Sequence, residues 1–133
     1  MVEKSVAIII ANSKNKILLQ LRDNKPGIVY AGCWAFLGGH VEKNETYLDA
    51  VNREIREEIN QEIRDIQIIG DIEIKEEGIS AVVFKGRLDV NESEIDLTEG
   101  QKVKFFGLDE LETIEIPKVL KEFIHKNKHK ILD

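Results

Sequence analysis

Gly38-Gly39-His40-Val41-Glu42-Lys43-Asn44-Glu45, then seven residues, then Arg53-Glu54-Ile55-Arg56-Glu57-Glu58, is the stretch that decides how this chain folds. Glu54, Glu57 and Glu58 stand at i, i+3 and i+4, a spacing that puts their carboxylates on one face of a helix. Like charges so placed repel by about 0.2–0.5 kcal/mol per pair, so the arrangement calls for compensation. A divalent cation with oxygen ligands supplies it. The alternative is a solvated ion-pair ladder, since Asp49, Arg53 and Glu57 follow one another at i, i+4. The glycine pair, the gap to Glu45 and the order of charges favour a site over a ladder.

The flanking residues mark out the helix. Thr46 and Asp49 have the spacing of a capping box at its start. Leu48, Val51, Ile55 and Ile59 form its apolar stripe, and at about 100° per residue the acidic face lies roughly a quarter turn away. Such a helix packs on a sheet while Glu54, Glu57 and Glu58 look into a cleft beside it. Asn60, which tolerates the left-handed conformation, stands where the helix ends.

Outward from this helix, strands predominate. Ser5 to Ala11 is β-branched and almost wholly apolar, as in a strand buried on both faces. The turn cluster Asn12-Ser13-Lys14-Asn15 leads to a second strand over Lys16 to Arg22. A loop from Asp23 to about Gly32 is long enough to bind something, and Trp34-Ala35-Phe36-Leu37 is a short strand ending at Gly38-Gly39. Beyond the helix, Ile66 to Ile74 and Ile79 to Leu88 read as strands joined by Lys75-Glu76-Glu77-Gly78. An acidic loop from Asn91 to Gly100 precedes a strand over Val103 to Phe106 and a helical turn over Leu108 to Leu111. Pro117 suits the first position of a closing helix with Val119, Leu120, Phe123 and Ile124 as its apolar side. Lys126, Lys128 and Lys130 complement its negative end. Interleaved strands and helices of this kind predict a mixed sheet with helices on both faces.

Composition narrows the function. The chain has 133 residues, is 42% hydrophobic and 33% charged, and suits one domain with a single core. Its net charge of −6 argues against a nucleic-acid polymer or an anionic membrane as partner, both of which need a basic surface. A phosphorylated small molecule stays open, because metal ions bridge two anions. Cys33 is the lone cysteine and permits no internal disulfide, which suits a reducing cytoplasm. No apolar run approaches the ~18 residues of a membrane span, and no targeting segment is visible.

The string from Gly39 to Glu58 resembles the Nudix box, with Gly39, Glu45, Arg53, Glu54, Ile55, Glu57 and Glu58 matching in place. It departs at Asn60 and Gln61, where the box has Gly and an aliphatic residue, and at Leu37, where many members have Pro. Asn60 can adopt the same backbone, and Ile63 can supply the contact that Gln61 lacks. Ile17 to Arg22, Gly32-Cys33-Trp34-Ala35-Phe36, and Glu99-Gly100-Gln101 with Phe105-Phe106 resemble further family segments. The resemblance implies one α+β domain over 1–133: the Nudix fold, an α/β/α sandwich around a central mixed sheet.

It also implies metal-dependent attack of water on a phosphorus of a nucleoside diphosphate linked to another group, a nucleoside triphosphate or modified nucleotide foremost. Nucleotide-sugar hydrolysis and a non-catalytic nucleotide-binding module are the alternatives. The implied metals are Mg²⁺ or Mn²⁺, held by Glu54, Glu57, Glu58 and a backbone carbonyl of Gly38 or Gly39, with Glu99 as a ligand or the base. Glu57 is the other candidate base. Arg53 joins Glu54, Glu57 and Glu99 in the implied catalytic set, pairing with Glu45 to orient the glutamates.

Arg22 is either a phosphate contact or a surface partner of Asp23. Tyr30 and Trp34 flank the loop and could stack on a base or sugar, although a tryptophan beside strand residues is more often core. Phe36, Phe84, Phe105 and Phe106 belong to packing. In relatives that clean nucleotide pools an Asn before the last helix reads the base, and the nearest position here is Glu115. His40 suits a turn, while His125 and His129 lie among lysines at a fraying end. Relatives commonly form a homodimer, for which the sequence carries no signature.

Overall fold

The computed structural model describes residues 3–95 and 102–132. The apolar run that opens the chain is β1 (Glu3–Ala11), whose Ile8, Ile9 and Ile10 are all buried. Consecutive strand residues point to opposite faces, so a strand like this needs a layer on each side. β1 lies at the centre of a sheet ordered β3 (Trp34–Ala35), β2 (Ile17–Leu21), β1, β6 (Ile79–Arg87), β5 (Arg64–Ile74). β7 (Lys102–Phe106) pairs with β2, and β4 (Leu37–His40) pairs with β1. The β1–β6 pairing is parallel and the other pairings are antiparallel, so the sheet is mixed as expected.

Helix α1 (Tyr47–Ile59) covers one face, packing Ala50, Val51, Ile55 and Ile59 on Val6, Ile8, Ile10, Leu18 and Phe84. The other face is closed by α2 (Lys118–Lys126), α3 (Lys128–Ile131) and a 3-10 turn over Leu108–Thr113. Leu111, Leu120, Ile124 and Ile131 pack there against Ile9, Leu19, Val83 and Phe106. This is the expected three-layer sandwich.

One expected strand is two. Trp34–Ala35 follow β2, while Leu37–His40 cross over to β1. A segment that changes partner has to leave its first register, and the kink falls just before Gly38, whose φ is 151°. An added Cβ at Gly38 would run into the Val6 carbonyl, so only glycine fits. The crossover brings Gly38–His40 beside α1.

Three other local readings change. Leu48 is 49% exposed rather than part of the apolar stripe, because the first turn of α1 overhangs the sheet and leaves Tyr47 exposed as well. Pro117 caps α2 instead of opening it, with its carbonyl accepting from the Leu120 and Lys121 N–H groups. The helix then breaks at Asn127, whose side chain donates to the Phe123 carbonyl at 3.0 Å. The segment expected to fray is held at Lys130 and Ile131: Ile131 is buried, and Lys85 Nζ donates to the Lys130 carbonyl at 2.7 Å. His125 and His129 are exposed there. Among the described residues no helix is long and apolar enough to cross a membrane.

Candidate active site

The ends of α1 are set as the sequence predicts. Thr46 Oγ1 accepts from the Asp49 N–H at 3.0 Å, satisfying one of the unpaired donors of the first turn. Asn60 is left-handed, and its N–H reaches the Arg56 and Ile55 carbonyls. Ile63 packs beside the α1 cluster, taking the place expected of it. Helix phase and length are fixed, and with them the direction of every glutamate.

Those glutamates sit at three depths. Glu58 is 1% exposed and its Oε1 accepts from the Gly38 N–H at 3.1 Å. The Glu54 side chain is 12% exposed and that of Glu57 is 52% exposed. Glu54 also abuts Gly39, where an added Cβ would stand 2.5 Å from the carboxylate carbon. Both glycines of the pair sit at close approaches, Gly38 to the backbone of β1 and Gly39 to the end of the Glu54 side chain on α1.

Arg53 ties the site together. Its Nε donates to Glu45 Oε2 at 2.7 Å and its Nη2 to Glu45 Oε1 at 2.9 Å, a two-pronged pairing that fixes the guanidinium plane. Nη1 donates to Glu54 Oε1 at 2.8 Å and to Glu57 Oε2 at 3.3 Å, and Nη2 also reaches the His40 carbonyl at 2.9 Å. The Arg53 hydrogen bond, aided by the Glu42 N–H, holds the Glu45 carboxyl down at about 2. Arg53 in turn is pushed up, chiefly by Glu45. The expected Arg53–Glu45 pair is present, with Glu42 as a further ion partner at 3.6 Å.

The groups around Arg53 are carboxylate and carbonyl oxygens, the ligand chemistry that suits Mg²⁺ or Mn²⁺. Among the described residues no three acidic, His or Cys side chains converge into a finished cage. Arg53 Nη1 stands between Glu54 and Glu57 instead. Every buried side-chain polar atom among those residues has a partner. Glu99 lies outside the described residues.

On the α2 side of the same segment lies a cavity of about 170 Å³. Gly38, Gly39 and His40 line it together with Arg22, Tyr30 and Phe36. The two predicted substrate contacts, Arg22 and Tyr30, are thereby brought together. Trp34 is core, the reading favoured for a tryptophan beside strand residues, 9% exposed and edge-on to Phe106 at 4.8 Å. The cavity was not legible in the sequence, although Ile79 and Ala81, alternate residues on one face of β6, form part of its wall. The roles of His40 and Glu42 as partners of Arg53 were also missed, since a backbone carbonyl and a loop carboxylate leave no pattern.

The NUDIX domain model matches residues 1–126, and the chain belongs to the Nudix hydrolase family. It is 32% identical over 110 residues to an uncharacterized Nudix hydrolase of Nostoc sp., covering 80% of this chain and 63% of that one. An ADP-ribose pyrophosphatase of Methanocaldococcus jannaschii is 51% identical over 49 residues, 37% of this chain and 27% of that protein. The chain thus spans less than two thirds of these relatives. The crystal structure of the MutT protein from Methanosarcina mazei Go1 superposes with a TM-score of 0.78 at 26% identity, covering 96% of this chain and 94% of that one.

Proposed function

We propose that residues 1–133 form a single Nudix hydrolase domain that cleaves a nucleoside diphosphate linked to another group, foremost a nucleoside triphosphate or modified nucleotide. The observation that carries this is the Gly38–His40 segment, which has Glu54 and Glu58 against it on one side and lines an apolar cavity on the other. A molecule with a phosphate chain at one end and a ring at the other suits that division.

Glu54, Glu57 and Glu58, with a backbone carbonyl of Gly38 or Gly39, would hold Mg²⁺ or Mn²⁺. When bound, such ions neutralise the phosphates, acidify a water and stabilise the leaving phosphate. Arg53, fixed by Glu45, orients Glu54 through a hydrogen bond at 2.8 Å. Glu57, half exposed and bonded to Arg53 at 3.3 Å, has the accessibility that a base for the attacking water needs. Glu99 is the other candidate for that role or for a metal ligand. Arg22 is assigned to a phosphate, for which its guanidinium is suited. The net charge of −6 favours a small nucleotide over a nucleic-acid polymer, and the lone Cys33 favours the cytoplasm. A homodimer is compatible with this reading.

A second reading, a nucleoside diphosphate joined to a sugar, is favoured by the likeness to the M. jannaschii ADP-ribose pyrophosphatase. A panel of nucleoside triphosphates, nucleotide sugars and ADP-ribose, assayed with and without Mg²⁺, tests both. Metal-dependent release of pyrophosphate from a triphosphate supports the first reading, and cleavage confined to sugar conjugates supports the second. Tight nucleotide binding without turnover of any substrate would leave a non-catalytic module.

A further inference from the structure

His40 ends β4, and the peptide group that follows it is held from both sides. Its carbonyl accepts from Arg53 Nη2 at 2.9 Å, while the N–H of the same peptide, on Val41, donates to the Lys4 carbonyl at 3.0 Å. In a planar trans peptide the N–H and C=O point in opposite directions. The Lys4 carbonyl, the His40–Val41 peptide and the Arg53 guanidinium therefore form one hydrogen-bonded row, in which each bond polarises the next. The row starts on β1, outside the stretch from Gly38 to Glu58.

The His40 ring makes the same connection a second time. Ser5 stands opposite His40 in the β1–β4 ladder, and Glu3 is two residues away on the same face of β1. Glu3 Oε1 lies 3.1 Å and Ser5 Oγ 3.4 Å from one ring nitrogen, Nδ1. A nitrogen so close to a carboxylate oxygen is assigned the hydrogen, because two facing lone pairs would repel. Nδ1–H therefore donates to Glu3, with the Ser5 hydroxyl beside it. Glu3 is itself anchored, its N–H donating to the Gly78 carbonyl at 2.8 Å between β5 and β6. The His40 and Glu3 side chains are 64% and 53% exposed, and a pair so exposed contributes little to folding stability.

We propose that His40 is a positioning residue: tethered through its ring to Glu3 and Ser5, it holds the peptide that aims Arg53, and through Arg53 the Glu54 carboxylate. The inference rests on the hydrolase reading for what that aim serves. Its weight comes from where the partners of Arg53 lie. Glu42, Glu45, Glu54 and Glu57 belong to α1 or to the loop before it, and among the described residues only the His40 carbonyl joins the guanidinium to the sheet. Beyond Val41 the chain leaves β1, so the last fixed point of the strand is the peptide that Arg53 grips. Groups standing behind a working side chain typically matter by about 10–100-fold in activity, and the exposure of this tether puts it at the lower end.

The test compares His40→Ala with His40→Asn, whose amide nitrogen stands near the place of Nδ1 and keeps the donor. On the best substrate of the panel above, with Mg²⁺ and at fixed pH, His40→Ala should lower kcat by about tenfold at unchanged KM and melting temperature, and His40→Asn should recover most of it. Glu3→Ala should match His40→Ala, Glu3→Gln should stay near native because its amide oxygen still accepts, and the Glu3→Ala/His40→Ala double variant should lose no more than either alone. In the protein without added metal, the Arg53 Nε–H signal in ¹H–¹⁵N NMR should shift and exchange faster with water in His40→Ala, and return in His40→Asn. An unaltered Arg53 signal or kcat in His40→Ala, a loss that follows melting temperature, no recovery with Asn, or multiplied losses in the double variant would overturn the proposal. If no substrate is turned over while the Arg53 signal responds as stated, the hydrolase reading falls and the positioning of Arg53 by His40 stands.

Discussion

On the α1 side of Gly38–His40, Arg53 makes hydrogen bonds to Glu45, Glu54, Glu57 and the His40 carbonyl, and Glu58 is buried on the Gly38 N–H. On the α2 side, the same residues face isoleucine, alanine and aromatic walls, with Ser5 Oγ and His40 Nδ1 3.4 Å apart. The first side fixes direction, because charge-assisted hydrogen bonds are sensitive to distance and angle. The second fixes only size and flatness. On the function proposed above, the first side would hold the reacting groups rigidly and the second the rest of the substrate loosely. Substitutions on the two sides should therefore fail in different ways.

The largest effect expected on the charged side is chemical. Glu57→Gln keeps shape and volume at a half-exposed position, so its thermal midpoint should stay close to that of the native protein. Its kcat should fall by about 10²–10⁴, the usual worth of a positioned base. Near-native turnover would pass that role to another group.

Gly38→Ala and Gly39→Ala separate backbone from side chain at adjacent residues. At Gly38 the new methyl meets the Val6 carbonyl in a conformation reserved for glycine, and neither backbone can yield. We expect about 2–4 kcal/mol of destabilisation, read as a lower melting temperature. At Gly39 the methyl meets only the end of Glu54. That side chain can move, so stability should change little, while activity should drop by about 10–100-fold as the carboxylate leaves its place. Similar stability losses in both variants would show that the Glu54 side chain is as fixed as the backbone.

What could be read beforehand follows the same division. The charged side is written in spacing: Glu45, Arg53 and Glu54 meet because the helix period and the loop length between them are set locally. Thr46 and Asn60 mark the helix ends for the same local reason. The cavity is assembled from β1, β4, β5, β6, α2 and the loop that holds Tyr30, so no window of sequence contains it. Glu58 shows the limit even on the legible side. Its spacing groups it with Glu54 and Glu57, but its burial depends on the crossover of Leu37–His40, a long-range event. Leu48 fails for a related reason, since periodicity does not tell where the sheet beneath a helix stops.

Acid should expose the charged side selectively. The folded Glu45 carboxyl lies at about 2, below its ordinary 4.5, because Arg53 and the Glu42 N–H favour the ionised form. A depressed folded value means that its contribution to stability is full above about 4.5 and is lost as the pH falls towards 2. Melting temperature followed from pH 6 to about pH 2 should show this loss in the native chain. Glu45→Gln should start lower and lack that component of the slope. Parallel curves would mean that the Arg53 pairing does not report on folding.

The smallest effect expected is also the most local. Thr46 Oγ1 satisfies one backbone donor at the start of α1, and Thr46→Ala should cost about 1 kcal/mol, within the usual range for a lost cap. The cap lies next to Glu45 and about two turns ahead of Arg53, so loosening it frays the end of the helix from which Arg53 is aimed. Its effect should therefore appear in kcat as well as in stability, while the affinity for a nucleoside analogue should be untouched. Loss of affinity in Thr46→Ala would mean that the two sides of Gly38–His40 are coupled through the strand they share.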